Sequence, residues 1–253
     1  MIIIKTEDEI AKLRKGGKIL ARILRTVAKH AVEGATTREL DNLAHKLIIE
    51  AGCTPAFLGY KPEPADKPYP ATLITSINSE VVHGIPSDRK LKSGDVASLD
   101  LGLSYQGMIL DHAVTVGIGK LAPKDKELIS ITKSALDEAI AAITPGSTVG
   151  DIGHAVESFV KPHKLGIVRV LSGHGVGRAL HEDPYVPNYG KRGKGAKLVL
   201  GMVIAIEPML TRGSEEVVLM RDGYTLKTVD DSNAAHFEHT VLITEDGAEI
   251  LTK

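Results

Sequence analysis

The stretch SLDLGLSYQGMILDHAVTV, residues 98–116, joins two apolar strand-like runs through the tetrapeptide SYQG, and each run carries one aspartate. If SYQG closes a hairpin with Ser104 opposite Gly107, Asp100 lies directly opposite Asp111. Two carboxylates in such positions destabilise a sheet unless a cation lies between them. Tyr-Gln is not a favoured two-residue turn, so a register shifted by one residue is one alternative. A second alternative is that one aspartate faces solvent and the other begins a loop.

The overall composition indicates a globular protein without a polyanionic partner. Of the 253 residues 43% are hydrophobic, and 31 Lys and Arg against 32 Asp and Glu leave a net charge of −1. We therefore expect no nucleic acid and no membrane surface as partners. The short apolar run at the start does not fit a signal peptide and Cys53 is the only cysteine, so we expect a cytoplasmic protein without disulfides.

Helix and strand patterns alternate twice along the chain, which predicts two related halves of about 1–120 and 121–253. Each half opens with helices that begin at a capping box or at a proline, and then changes to the two-residue period of strands. The predicted helices cover about 6–30, 36–51, 123–143 and a segment from 148, and the predicted strand runs are ATLITSI, DVASLDLGL, MILDHAVTVGI, LVLGMVIAIEPML, EEVVLM and FEHTVLIT.

Short segments of the two halves match in the same order, as expected for a duplicated unit. The match of GDVASLD with GMVIAIE places Asp100 over Glu207, and the match of DHAVTV with EHTVLI places Asp111 over Glu238. A third pair is GATTREL and GSTVGDI. A duplicated α/β unit brings the four carboxylates toward a pseudo-twofold axis.

Four acids within strands require protons or cations, because an unpaired buried carboxylate costs several kcal/mol. A pair of divalent metal ions satisfies all four. Oxygen ligands suit Mn, Mg or Ca, and an added imidazole extends the choice to Fe, Co, Ni or Zn. The glycine-rich segment SGHGVGRALHEDP (172–184) supplies His174 and His181, and HGIP supplies His83.

Five motifs occur in the order and spacing of one enzyme family: VVHGIP, the Asp100 and Asp111 pair, GHGVGRALHEDP, AIEPM and FEHT. With this set the chain resembles the type I methionine aminopeptidases over essentially its whole length. The resemblance implies an α+β pita-bread fold, in which an antiparallel β-sheet with pseudo-twofold symmetry is backed by α-helices. It also implies that residues 1–253 form a single catalytic domain made of the two halves.

The resemblance further implies a dinuclear metal site. Asp100 would chelate one ion, His174 and Glu207 would bind the other, and Asp111 and Glu238 would bridge the two. The two divalent metal ions would be Co, Mn or Fe, with Zn and Ni as further candidates.

The remaining site residues take catalytic and substrate-binding roles by the same resemblance. Glu207 would shuttle a proton from water to the leaving amine, His181 would donate to the carbonyl oxygen as it becomes an oxyanion, and His83 would hold the peptide beyond the scissile bond. An apolar slot would bind the methionine side chain and be lined by Phe57, Tyr60, Tyr69, Ile74, Leu180 and Tyr224. Tyr60 and Tyr69 fit the two pocket tyrosines of the family, and the proline-rich stretch between them, part of the loop 61–70, is longer than usual for the family.

Three further histidines neighbour the expected ligands. Alternation along a strand turns His112, His236 and His239 to the opposite face of the sheet, so we expect structural roles for all three. A single histidine is more often a hydrogen-bonded structural residue than a catalyst.

The expected activity is removal of the N-terminal methionine from peptides and nascent proteins whose second residue is small, by a monomeric enzyme. The nearest alternative is another pita-bread hydrolase, an Xaa-Pro aminopeptidase or dipeptidase, which usually carries an extra N-terminal domain and lacks HEDP. A type II methionine aminopeptidase would need an insertion between Glu207 and Glu238, and that interval is too short. A non-catalytic binding module of the same fold is a third alternative, although all five ligands are present.

Overall fold

Over residues 2–62 and 67–253, which a computed structural model describes, the chain forms four α-helices and fifteen strands. Residues 63–66 of the predicted proline-rich segment lie outside the described residues. The helices are α1 Glu7–His30, α2 Thr37–Glu50, α3 Pro123–Ala141 and α4 Val149–Val160, followed by a 3₁₀ turn at Lys161–His163. The strands are β1 Thr54–Pro55, β2 Leu73–Ile77, β3 Glu80–Val82, β4 Val96–Tyr105, β5 Met108–Gly117, β6 Gly166–Ile167, β7 Ser172–Gly175, β8 Glu182–Pro187, β9 Val203–Ile206, β10 Met209–Thr211, β11 Val217–Leu219, β12 Leu226–Thr228, β13 Ala234–His236, β14 Glu238–Thr244 and β15 Gly247–Ile250.

The three predicted capping boxes are all present, at Thr6, Thr36 and Thr148. At the first, the Thr6 hydroxyl accepts the Glu9 N–H at 3.3 Å and the Glu9 carboxylate accepts the Thr6 N–H at 2.8 Å. Each box satisfies backbone N–H groups that a helix start leaves unpaired. The local sequence therefore sets where three of the four helices begin.

The main sheet is antiparallel and runs in the order β1-β4-β5-β14-β9-β7-β8, with β2 paired to β4 and β15 paired to β14. Two three-stranded sheets, β13-β10-β6 and β11-β12-β3, complete the strand structure of the described ranges. The β5–β14 pair joins the first and second parts of the chain at the middle of the main sheet.

Two apolar clusters fill the space between helices and sheet. In one, residues of α1 and α2 such as Leu24 pack on strand residues such as Leu101, and in the other, residues of α4 such as Ile152 pack with Ile204 of β9. Val114 of β5 packs against both clusters, so they adjoin along the β5–β14 seam. No helix in the described part of the chain has both the length and the apolar character needed to cross a membrane.

The β4–β5 hairpin turns at Gln106-Gly107 rather than at Tyr-Gln, and φ is +50° and +82° at these two residues. Positive φ at both central positions is the requirement of a type I′ turn, which an X-Gly pair meets. Asp111 consequently lies opposite Gly102, and Asp100 lies opposite Ala113. The predicted direct opposition of the two aspartates is wrong, and so is the one-residue shift. Because the register differs by two residues, both aspartates still share one face as diagonal neighbours.

Candidate metal centre and substrate pocket

Four carboxylates and one imidazole converge on one face of the main sheet, and they are the five predicted metal ligands. They come from five places in the fold: Asp100 on β4, Asp111 on β5, His174 on β7, Glu207 directly after β9, and Glu238 on β14. Ligand atoms of Asp111, His174 and Glu238 lie within 4.8 Å of one another, and His174 Nε2 lies 3.4 Å from Glu207 Oε1. The structure thus brings all five together.

Burial and mutual repulsion disfavour the charged forms of these acids. Loss of hydration, followed by the negative charges of neighbouring carboxylates, raises the pKa of Asp100, Glu207 and Glu238 well above its usual value. Loss of hydration also raises the pKa of Asp111, to about 6, although hydrogen bonds from Asp100 and from the His112 N–H oppose the rise. Without cations, the cluster must therefore hold protons near neutral pH.

The donor atoms of the cluster fit divalent metal ions. Asp100 Oδ1 and Glu238 Oε1 are buried and have no hydrogen-bond partner among the described residues, which would be costly unless another group bound them. His174 donates from Nδ1 to the carbonyl oxygen of Gly175 at 2.9 Å, so Nε2 presents its lone pair toward the carboxylates. Burial lowers the pKa of His174 to about 3, which keeps this imidazole neutral. Oxygen ligands with one neutral imidazole suit Mn, Fe and Co, and also Zn and Ni.

The two other predicted catalytic histidines lie at the mouth of the site. His181 packs edge-on to His174, with ring centroids 4.4 Å apart, and the Tyr60 hydroxyl lies 2.6 Å from His181 Nδ1. His83 has a φ of +61°, and the Thr225 hydroxyl donates to its carbonyl at 3.4 Å. A non-glycine residue in this left-handed region is uncommon, and such residues concentrate at functional sites.

An apolar slot opens directly onto the carboxylates. It has a volume of about 130 Å³, and the six residues predicted to line it all do so: Phe57, Tyr60, Tyr69, Ile74, Leu180 and Tyr224. Tyr69 and Tyr224 donate their hydroxyls to the backbone carbonyls of Gly84 and Pro68, each at 2.9 Å. Because these hydroxyls are bound to backbone, the slot is walled mainly by rings and aliphatic side chains.

Gly102 of β4 sets the position of one slot wall. A Cβ atom at this residue would lie 2.6 Å from Cε1 of Phe57 and 3.1 Å from Cβ of Ala56. The ring of Phe57 therefore packs where a side chain on β4 would otherwise stand.

A wider cavity of about 620 Å³ continues outward from the same histidines and Glu207. Val170 and Tyr185 line it, and both are 75% exposed. A peptide with its first side chain in the slot can therefore extend outward through this cavity.

His236 lies in the site, which the sequence argument missed. Its Nε2 is 3.7 Å from Glu207 Oε2 and 3.8 Å from Glu238 Oε2, and it is buried without a hydrogen bond to any described residue. The expectation that it faces the other side of the sheet is wrong. His236 is the last residue of β13, and Phe237 separates it from Glu238 at the start of β14. Residues two apart in extended backbone lie on the same face, so this spacing was the sequence signal that His236 lies beside Glu238.

His112 and His239 do lie on the opposite face, as predicted. Their rings stack with centroids 4.7 Å apart, and His112 donates from Nδ1 to the Glu238 carbonyl at 2.6 Å. These two imidazoles therefore support the strands behind the ligands.

Lys5 is a second residue that the sequence analysis missed. Its ammonium lies 2.5 Å from Glu182 Oε2, and the two side chains are 1% and 3% exposed. Glu182 Oε1 also accepts the backbone N–H groups of Arg178 and Ala179, at 2.6 and 2.9 Å. Through Glu182, the N-terminal segment thus contacts and stabilises the loop that carries Leu180 and His181. The acid of the HEDP motif was the only local signal for this contact.

Comparison with known proteins places this geometry in a family. The model of metallopeptidase family M24 matches residues 11–245. A methionine aminopeptidase of Aquifex aeolicus (strain VF5) is 47% identical, with 98% of this chain and 97% of that protein covered. A crystal structure of methionine aminopeptidase from Thermotoga maritima superposes with a TM-score of 0.96 at 46% identity, with both chains covered completely.

A prolidase structure from Pyrococcus horikoshii OT3 is also similar, with a TM-score of 0.79 at 28% identity over 100% of this chain and 64% of that one. The prolidase therefore shares the fold and is considerably longer. These comparisons confirm the predicted pita-bread fold and the metal-dependent peptidase class. The chain belongs to metallopeptidase family M24 and, within it, to the methionine aminopeptidases.

Proposed function

We propose that this protein removes the N-terminal methionine from peptides and nascent proteins whose second residue is small. The observation that carries the proposal is the junction of two features: a cluster of the five predicted metal-ligand side chains and an apolar slot that ends at it. A slot walled by rings and aliphatic groups suits an unbranched apolar side chain. Metal ions held by these side chains at its end would supply hydrolytic chemistry at the first peptide bond.

The proposed cofactor is a pair of divalent ions. Asp100 would hold one ion, His174 and Glu207 the other, and Asp111 and Glu238 both. Bound ions would lower the pKa of a water molecule to near neutrality and polarise the scissile carbonyl. Because four of the five ligands are carboxylates, we favour Co, Mn or Fe over Zn or Ni.

The remaining steps fall to side chains of this chain. Glu207, whose pKa burial raises, accepts a proton from the attacking water and later donates one to the leaving amine. His181 donates to the carbonyl oxygen as negative charge develops there, and the Tyr60 hydroxyl at its Nδ1 orients the ring. His83 binds the peptide on the far side of the scissile bond.

Selectivity at the first residue follows from the slot, and selectivity at the second from the wall beside His83. One methylene in an apolar slot changes the free energy of binding by only about 1–3 kcal/mol, so norleucine should follow methionine closely. A bulky second residue would collide with the His83 wall. Met-Ala and Met-Gly peptides are therefore the expected substrates, and Met-Ile peptides should be refused.

The prolidase likeness gives the alternative of Xaa-Pro cleavage. The chain has only about two thirds of that protein's length, and its HEDP continuation is the feature of the methionine enzymes. We infer a single catalytic domain that acts as a monomer on N-termini of nascent chains in the cytoplasm, without nucleic acid or membrane partners.

The test is a peptide panel with reconstituted metal. Met-Ala-Gly-Gly, Met-Ile-Gly-Gly and Ala-Pro-Gly-Gly are compared at equal concentration, with Glu207→Gln as the inactive variant. Glu216→Gln, at an exposed residue outside the site, is the matched control. Rapid release of methionine from the first peptide alone supports the proposal. Faster cleavage of the Ala-Pro bond would assign the protein to the alternative, and absence of turnover with full metal content would favour a binding module.

A further inference from the structure

A separate cavity lies on the helix side of the main sheet, behind the metal cluster. Its volume is about 480 Å³, and it opens between α1 and α3 above the seam of β5 and β14. Small residues on α1, Ala21 and Ala28, line it and leave room above the seam. The mechanism proposed above uses none of its lining side chains.

The floor of this cavity is the stacked imidazole pair, His112 and His239. The Nδ1 atoms of both rings are engaged, with the Glu238 carbonyl and with the Thr252 hydroxyl. Both rings line the cavity, so they offer it a flat surface together with their remaining nitrogens. Val114, Leu136 and Phe237 make the surrounding wall apolar.

The rim of the cavity is cationic. Arg25 of α1, Lys133 of α3 and Lys253 line it, and all three are exposed. Within residues 2–62 and 67–253, none of the three side chains has a hydrogen bond or a salt bridge. Asp137 is the one acidic side chain that lines the cavity in the described structure, and it has no partner either. Unpaired cations around a concave surface attract anions.

We propose that this cavity is a binding site for a small organic anion, one whose carboxylate or phosphate group binds Arg25 and Lys133 while its apolar body covers the stacked His112 and His239. Guanidinium and ammonium groups bind such anionic oxygens through charge-assisted hydrogen bonds. The apolar wall selects a ligand with a hydrocarbon or aromatic part over a bare inorganic ion. The site is independent of the peptide site and of the function proposed above.

The experiment measures anion binding to the metal-loaded full chain by calorimetry and by NMR of the histidine rings. The probes are phenyl phosphate, benzoate and inorganic phosphate. We expect one site for an aromatic anion, with resonance changes at His112 and His239 rather than at His83 and His181. Tighter binding of phenyl phosphate identifies a phosphate ester as the ligand class, and tighter binding of benzoate identifies a carboxylate.

The decisive comparison is between two charge-matched double variants on the same helices. Arg25→Gln/Lys133→Gln should weaken binding at least about tenfold, whereas Lys15→Gln/Lys124→Gln, at exposed residues outside the cavity, should not change it. Both variants should keep their turnover of Met-Ala-Gly-Gly, which shows that they are folded. The proposal is overturned if no probe binds, if inorganic phosphate binds as tightly as the aromatic anions, if the ring changes occur only at His83 and His181, or if both variants bind equally.

Discussion

Replacing Lys5 by Met measures what the buried ion pair with Glu182 contributes to stability. The ammonium and carboxylate lie 2.5 Å apart with side chains 1% and 3% exposed, so the change leaves a buried carboxylate without its counterion. Such a loss costs about 3–5 kcal/mol of the free energy of unfolding. For a chain of this length about 1 kcal/mol corresponds to about 2–4 °C, so Lys5→Met should lower the Tm by about 6–20 °C.

The same substitution should slow catalysis, because Glu182 also holds the backbone of the loop before His181. Its Oε1 accepts the N–H groups of Arg178 and Ala179, and a loop that relaxes by about 1 Å displaces the ring of His181, for which we propose a catalytic role. A displacement of that size can cost about 10²-fold in rate. We expect kcat for Met-Ala-Gly-Gly to fall by up to that factor, with metal content unchanged.

The matched control is Lys12→Met, which removes an ion pair with Asp8 of the same length but with side chains 31% and 75% exposed. A surface pair contributes only about 0.2–1 kcal/mol. The double variant Lys5→Met/Glu182→Gln, which removes both charges, should recover part of the stability that Lys5→Met loses. Urea unfolding gives the free energies. The reasoning is refuted if Lys5→Met costs no more than Lys12→Met.

Three further predictions concern the metal centre. Activity should vanish with a chelator and return with Co(II), Mn(II) or Fe(II), and full activity in metal-free protein would contradict the assignment. His181→Ala should retain both metals, as measured by elemental analysis, and its kcat should fall by about 10²–10³-fold. Glu207→Gln should lose turnover and bind metal more weakly at one site. An unchanged kcat in His181→Ala would show that this ring does not bind the oxyanion. In metal-free protein, folding raises the pKa of these carboxyls, so their contribution to stability is complete below the unfolded pKa and is lost as pH rises through the folded pKa. For Asp111 this loss runs from the ordinary value of 3.8 to about 6, and for Glu238, whose pKa is raised well above its usual value, it extends to higher pH. Between pH 5 and 8, the Tm of metal-free wild-type protein should therefore fall more steeply than the Tm of metal-free Glu238→Gln. Parallel curves of Tm against pH for the two proteins would argue against a cluster that holds protons.

Local signals were enough to predict the helices and most strands. Thr6 and Thr36 form their capping boxes from side chains three residues away, so no tertiary contact is needed to place those helix starts. The four carboxylates could be predicted from strand runs that each carry an acid and from the match between the two halves, whereas His174 and the complete set of five ligands followed from the resemblance of five motifs in order.

Features that depend on backbone twist or on distant packing could not be predicted. The β4–β5 register followed from the positive φ that Gln106 and Gly107 adopt, not from the polarity of the tetrapeptide. His236 was assigned to the wrong face because it was treated as an immediate neighbour of Glu238, although a spacing of two residues returns a side chain to the same face of a strand. Lys5 reaches Glu182 across 177 positions of sequence, and no period or motif connects residues so far apart.

The turn at Gln106-Gly107 determines both the spacing of two predicted metal ligands and the width of the apolar slot. It sets Gly102 opposite Asp111, and Gly102 follows Asp100 by two residues on the same strand. The glycine against which Phe57 packs therefore lies between two predicted metal ligands on one face of the sheet. An inserted or deleted residue in the turn would change the ligand spacing and the slot width in one step. Side chains that line the outer cavity, such as Val170 and Tyr185, lie outside this hairpin, so substitutions there leave its register unchanged, whereas a change in the turn alters the predicted ligands and the first-residue slot together.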